Sequence, residues 1–119
     1  MVLDKKGILA AAQCNSEEVP FGKGKVLCTE LSFSEVNEVR ESKLIRNEKD
    51  EVDGFKFVGL LVTRCIRDAK GNRIFEDTDI DSVMAFPRSK YLPLAIAAQR
   101  LNGMSDDQVK NSEADQTDS

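Results

Sequence analysis

The sequence predicts an α+β domain, mainly helical, with four to five helices and a small N-terminal β-hairpin. Three observations carry this expectation. Ser32 and Glu35 form a helix-start signature, and Leu94, Ala97, Ala98 and Leu101 recur at i, i+3, i+4 and i+7. Near the start, Pro20, Gly22 and Gly24 separate two short β-prone runs.

In chain order, Asp4 caps a first helix from Lys5 to about Gln13, with Ile8 and Leu9 expected to face inward. "NSEEVPFGKGK" breaks that pattern and leads into "KVLCTEL". Val26, Cys28 and Glu30 fall on one face of this run, and Leu27, Thr29 and Leu31 on the other. The pair reads as a hairpin with an irregular turn. In "LSFSEVNEVRESKLI", Ser32 and Glu35 make a capping box, each side chain satisfying a backbone N–H at the helix start. Leu31 and Val36 make the hydrophobic staple that accompanies such a box, and Val39 continues the face. "RNEKDEVDG" is a charged connector closed by Gly54.

"FKFVGLLVTRCI" is the most apolar segment. Phe55, Val58, Leu61, Val62, Cys65 and Ile66 follow helical spacing, although the Val, Ile and Thr content also suits a strand; a buried helix is the expectation for 57–66. Asp68 to Gly71 has the composition of a type I turn, with Asp at its first place and Gly where positive φ is needed. Asp77 or Thr78 then caps a helix whose buried side is Ile80, Val83 and Met84, and Asp79 and Asp81 in its first turn meet the positive dipole end. A last helix runs from about Tyr91 to Asn102, with Pro93 in its first turn and Gly103 as its left-handed cap.

At 119 residues the chain has room for one modest core, expected in residues 1–104. With no Trp and one Tyr, that core rests on Leu, Ile, Val, Ala and six Phe. The net charge of −4 is concentrated in residues 105–119, where five acids face Lys110 alone, while 1–104 carry sixteen acids and sixteen bases. This acidic tail lacks apolar periodicity and is expected to be disordered. No basic stripe with interleaved aromatics points to nucleic acid, and no run nears the roughly 18 apolar residues that cross a bilayer. The start reads as a helix, since its apolar run is too short for a signal peptide.

The chemistry-bearing residues are sparse. Cys14, Cys28 and Cys65 are widely spaced and there is no histidine, which argues against zinc and for free thiols. "RDAKGNRIFEDTDIDS" gathers acids around a glycine, but neither frame fits a calcium loop. From Asp68 the third position is Lys70 and the glycine comes at the fourth; from Asp77 the sixth position is Ser82 and the twelfth Arg88. "FGKGK" is too short to cradle phosphates, and no Ser or Cys has a local base. These readings point away from an enzyme and imply no cofactor.

The order of the motifs resembles the tail assembly chaperones of lambda-like long-tailed bacteriophages. The residues that carry it are "KKGILAAA", "EEVPFGKGKVLCTEL", "SFSEV", "FVGLLVTRCIRDAKGNRIFEDTDIDSV" and "LAIAAQRLNGMS", spanning about residues 4 to 104. In the family the hairpin proline is often followed by an acidic residue and Trp, where this chain has Phe21. The resemblance implies a non-enzymatic protein of the host cytoplasm, absent from the mature virion. It would bind the tape measure protein and keep it soluble until tube subunits polymerise. It would also assemble with itself into a ring or spiral, and reach the tail tube protein through a frameshifted longer form attached at the tail. Binding an amphipathic helix needs an apolar groove, for which Phe86, Tyr91, Leu92 and Leu94, beside Pro87 and Pro93, are the candidate liners. Two other roles compete: a structural tail or head–tail joining subunit retained in the virion, and a calcium-dependent regulator using the acidic stretch.

Overall fold

The computed structural model describes residues 1–104, so the expected acidic tail lies outside the described residues. Their order is α1 (Lys5–Ala11), β1 (Ser16–Phe21), β2 (Gly24–Thr29), α2 (Phe33–Glu41), a 3-10 turn (Lys43–Ile45), α3 (Gly54–Cys65) and β3 (Ile66–Arg67). A second 3-10 turn (Asp77–Asp79), α4 (Ile80–Met84) and α5 (Arg88–Leu101) complete it. The fold is α+β and mainly helical, as the patterning predicts.

The apolar segment forms the central helix. Gly59 to Cys65 in α3 are all buried, so neighbours must cover the helix on every side. α2, α4, α5 and the sheet supply that cover. Gly54 does not close the preceding connector; it is the first helical residue, and Asp53 is the cap, its Oδ1 accepting from the amides of Phe55 (2.9 Å) and Lys56 (3.3 Å). Gly59 is where α4 comes closest. A Cβ there would stand 2.6 Å from Met84 Sδ. The buried Thr63 hydroxyl donates to the Gly59 carbonyl at 2.7 Å, which offsets its loss of water.

The sheet has three strands in the order β1-β2-β3, all antiparallel. The hairpin turn is tighter than expected: Phe21 pairs with Gly24, leaving only Gly22 and Lys23 between them. Gly22 has φ +63° at the first of these two positions, where a II′ turn calls for glycine. Pro20 is tolerated because β1 is an edge strand. β3 is a further departure. Ile66, expected to be helical, follows the end of α3 and starts a strand, because it and Arg67 pair with Cys28 and Leu27 of β2 before the next turn folds the chain back. In that turn the Gly71 amide donates to the Asp68 carbonyl (3.0 Å), Asp68 Oδ1 accepts from the amides of Lys70 and Asn72 (both 2.9 Å), and Gly71 has φ +86°.

α2 begins at Ser32, whose Oγ accepts from the Glu35 amide at 3.2 Å. The other half of the expected capping box is missing: the Glu35 carboxylate accepts from Arg67 at 3.2 Å instead. α5 is longer than expected, starting at Arg88 with Pro87 as its N-cap residue, so Pro93 sits in its second turn and not its first. Pro93 cannot donate to the Ser89 carbonyl, but both residues are exposed and water can take that bond. The helix ends in a Schellman motif. Gly103, at φ +84°, donates to the Arg100 carbonyl (3.2 Å) and Met104 to that of Gln99 (2.7 Å). Replacing Gly103 with alanine forces a Cβ into the left-handed region, and urea unfolding is expected to register a loss of about 1–2 kcal/mol.

Asn102, one residue earlier, joins the end of α5 to the start of α2. Its Oδ1 accepts from the Leu31 amide at 2.9 Å, and its Nδ2 donates to the Ala98 carbonyl at 2.7 Å.

Candidate functional site

The expected helix start at Asp77 or Thr78 is not the cap. The N-cap residue of α4 is Asp79 and that of the 3-10 turn is Glu76, whose amide donates to Asp79 Oδ2 at 2.8 Å, while Thr78 lies exposed within the 3-10 turn. Asp77 has a different role. Arg64, its side chain only 11 % exposed, grips Asp77 with two parallel bonds, Nε to Oδ1 at 3.0 Å and Nη2 to Oδ2 at 2.8 Å. Arg73 adds a third at 2.6 Å, and Arg64 Nη1 reaches Glu38 at 2.8 Å. The cluster ties α3, α2 and the second 3-10 turn together. The bonds from Arg64, then the one from Arg73, hold the Asp77 carboxyl below its usual range, and Asp77, then Glu38, push Arg64 up.

Three acids of the stretch "RDAKGNRIFEDTDIDS" are thereby engaged with protein donors: Asp68 with turn amides, Asp77 with two arginines, Asp79 with the Glu76 amide. Among the described residues no cluster of His, Cys, Asp or Glu is arranged to hold a metal. No helix among them is long and apolar enough to cross a membrane.

The expected client-binding surface does not come together as one face. Leu94 is fully buried. Phe86 is half-buried, packed edge-on against Phe21 (centroids 5.4 Å apart) and Phe75 (6.3 Å). Tyr91 is half-buried too, and burial pushes its hydroxyl up. Of the four, Leu92 alone counts as exposed. The Leu94 stripe faces α3, and Phe86 closes the space between the hairpin and the chain before α4.

Uncovered apolar surface lies elsewhere. α1 forms as expected, with Asp4 Oδ1 accepting from the Gly7 amide at 2.8 Å. None of its residues is buried, however, and Ile8 and Leu9, expected to face inward, are 53 % and 59 % exposed. Met1, Val2 and Leu3 before it are exposed as well. Helical patterning identifies an apolar face, not what covers it, and none of the described residues buries this one. A second site is an open groove of about 420 Å³ between α2 and the end of α5, lined by Leu31, Phe33, Val36, Arg40, Leu101 and Asn102 among others. Phe33 stands at its rim, 84 % exposed at the first position of α2. The third is a pair on the outer face of α5, Leu92 and Ile96, one turn apart and both exposed.

Phe33 and Ile96 are residues that the sequence reading passes over. A signal for each was present: Phe33 sits between two serines at a capped helix start, and Ile96 lies off the Leu94–Leu101 stripe. Comparison of the chain with protein-family models, with curated proteins and with solved structures returned no match.

Proposed function

We propose that this chain is a non-enzymatic phage tail assembly chaperone, which assembles with itself and holds the tape measure protein soluble while the tail tube grows. The observation that carries the proposal is α1, a capped helix whose Ile8 and Leu9 remain in water although the rest of the domain has a closed core. Adjacent apolar side chains that the described residues of a small domain leave exposed suit contact with another helix. The groove beside Phe33 and the Leu92–Ile96 pair offer the complementary kind of surface. The motif order across residues 4 to 104 supports the same reading, and an acidic tail would help such an assembly stay in solution.

Two experiments test this. The double change Ile8→Glu with Leu9→Glu is expected to leave folding stability within about 0.5 kcal/mol, because neither side chain is buried. It should abolish self-assembly and client binding on gel filtration. Unchanged assembly would remove α1 from the account. Mass spectrometry of purified virions is expected to find the chain absent; abundant copies would favour a structural tail subunit instead.

A further inference from the structure

We propose that Cys28 and Cys65 form a latent disulfide site, two adjoining buried thiols that a hydroperoxide converts into a cystine joining β2 to the end of α3. The geometry comes from the sheet. Cys28 of β2 pairs with Ile66 of β3, and Cys65, the last residue of α3, directly precedes Ile66. Both cysteines are free and fully buried, and the register that sets Cys28 against Ile66 brings Cys65, the adjoining residue, up to it. Asn102 Nδ2 lies 3.5 Å from Cys65 Sγ, so the pair sits where β2, α3 and the end of α5 meet.

The two thiols differ. The neighbouring Cys28, then burial, pushes the Cys65 thiol up, while the neighbouring Cys65 pushes that of Cys28 down, so the thiolate is favoured on Cys28. The Cys28 thiolate attacks one peroxide oxygen, the O–O bond breaks, and the departing hydroxide takes up a proton to leave as water. Cys28 is then a sulfenic acid. Cys65 attacks that sulfur, the S–O bond breaks, and a second water leaves with the Cys65 proton. Two thiols lose two electrons, one peroxide gains them, and the products are one cystine and two waters. The new bond closes a loop containing α2 and α3, which restricts the unfolded chain more than the folded one.

The exposed Cys14 would pair between molecules, so the test uses the full chain carrying Cys14→Ser. The folded protein is treated with hydrogen peroxide and mapped by peptide mass spectrometry. The expected product is a monomer lighter by two hydrogens, with the Cys28 and Cys65 peptides linked, a raised urea midpoint, and full reversal by dithiothreitol. Reduction with glutathione then compares folded and urea-unfolded chains, and the folded state is expected to favour the bond by about tenfold or more. The proposal is overturned if oxygen is added to either cysteine without a link. It is overturned equally if both remain reduced when Cys14 of the unsubstituted chain is fully consumed, or if the folded state favours the bond no more than the unfolded one.

Discussion

Leu94→Ala is expected to lower stability by about 2–5 kcal/mol, while Leu92→Ala two residues away changes it by about 0.5 kcal/mol or less. Leu94 is fully buried on the face of α5 that packs on α3, whereas Leu92 is 37 % exposed. Removing the Leu94 side chain takes away apolar contact and leaves a cavity that the buried Leu60, Leu61 and Ala98 of the same core can collapse into only in part. In a domain of this size total stability is commonly about 5–15 kcal/mol, so the upper end of the range would leave a large unfolded fraction. Urea unfolding of the two variants checks this directly. Equal, small losses would mean that Leu94 faces solvent. Leu92→Ala should instead weaken contact with partners.

Asp77→Asn is expected to cost about 1.5–3 kcal/mol, because it strips the charge-assisted bonds from Arg64, whose guanidinium stays buried. Arg64→Met should cost less. Asp77 keeps Arg73 and is 27 % exposed, Glu38 reaches water, and methionine replaces the arginine stem with apolar volume. The double variant should cost less than the two single losses together, which a double-mutant cycle reads as coupling between the residues. The acid limb follows from the same contacts. Asp77 has a lower pKa folded than unfolded, so its contribution is complete above the unfolded value near 3.8. It is lost as pH falls from there through the lower folded value. Asp77→Asn should therefore flatten the fall in urea midpoint between neutral pH and about pH 3. An unchanged slope would show that other carboxylates govern acid unfolding.

Local chemistry was legible at several places where the partner lies within a few residues, although the Asp53 cap and the Glu76–Asp79 contact were missed. The Ser32 cap, the Asp68–Gly71 turn and the Gly103 cap each join groups no more than five positions apart, and residue type alone nearly determines them. Asp77 shows where that logic stops. Beside a helix start an aspartate looks like a cap, but Arg64, thirteen residues earlier, offers it two charge-assisted bonds, and no local pattern encodes such a pairing. Glu35 is the same case: its carboxylate leaves the capping box for Arg67, thirty-two residues on. Pro93 is misplaced by a rule about helix interiors that holds less strictly on a water-facing side. For the candidate site the limit is different. Residue type marks Ile8 and Leu9 as one face and Leu94 as another, but which face is covered depends on packing: α5 sits against α3, whereas no residue of α1 is buried. The residues now singled out, Ile8, Leu9 and Phe33, are apolar like the core and are distinguished only by being left outside it.

The most direct test is the fraction of tape measure protein that stays soluble when it is co-expressed with this chain. The account predicts that the wild-type chain raises that fraction severalfold and elutes with its client on gel filtration, and that the Ile8→Glu, Leu9→Glu chain, folded to the same stability, does neither. A tape measure protein that precipitates equally with and without the wild-type chain, and no shared elution peak, would contradict it.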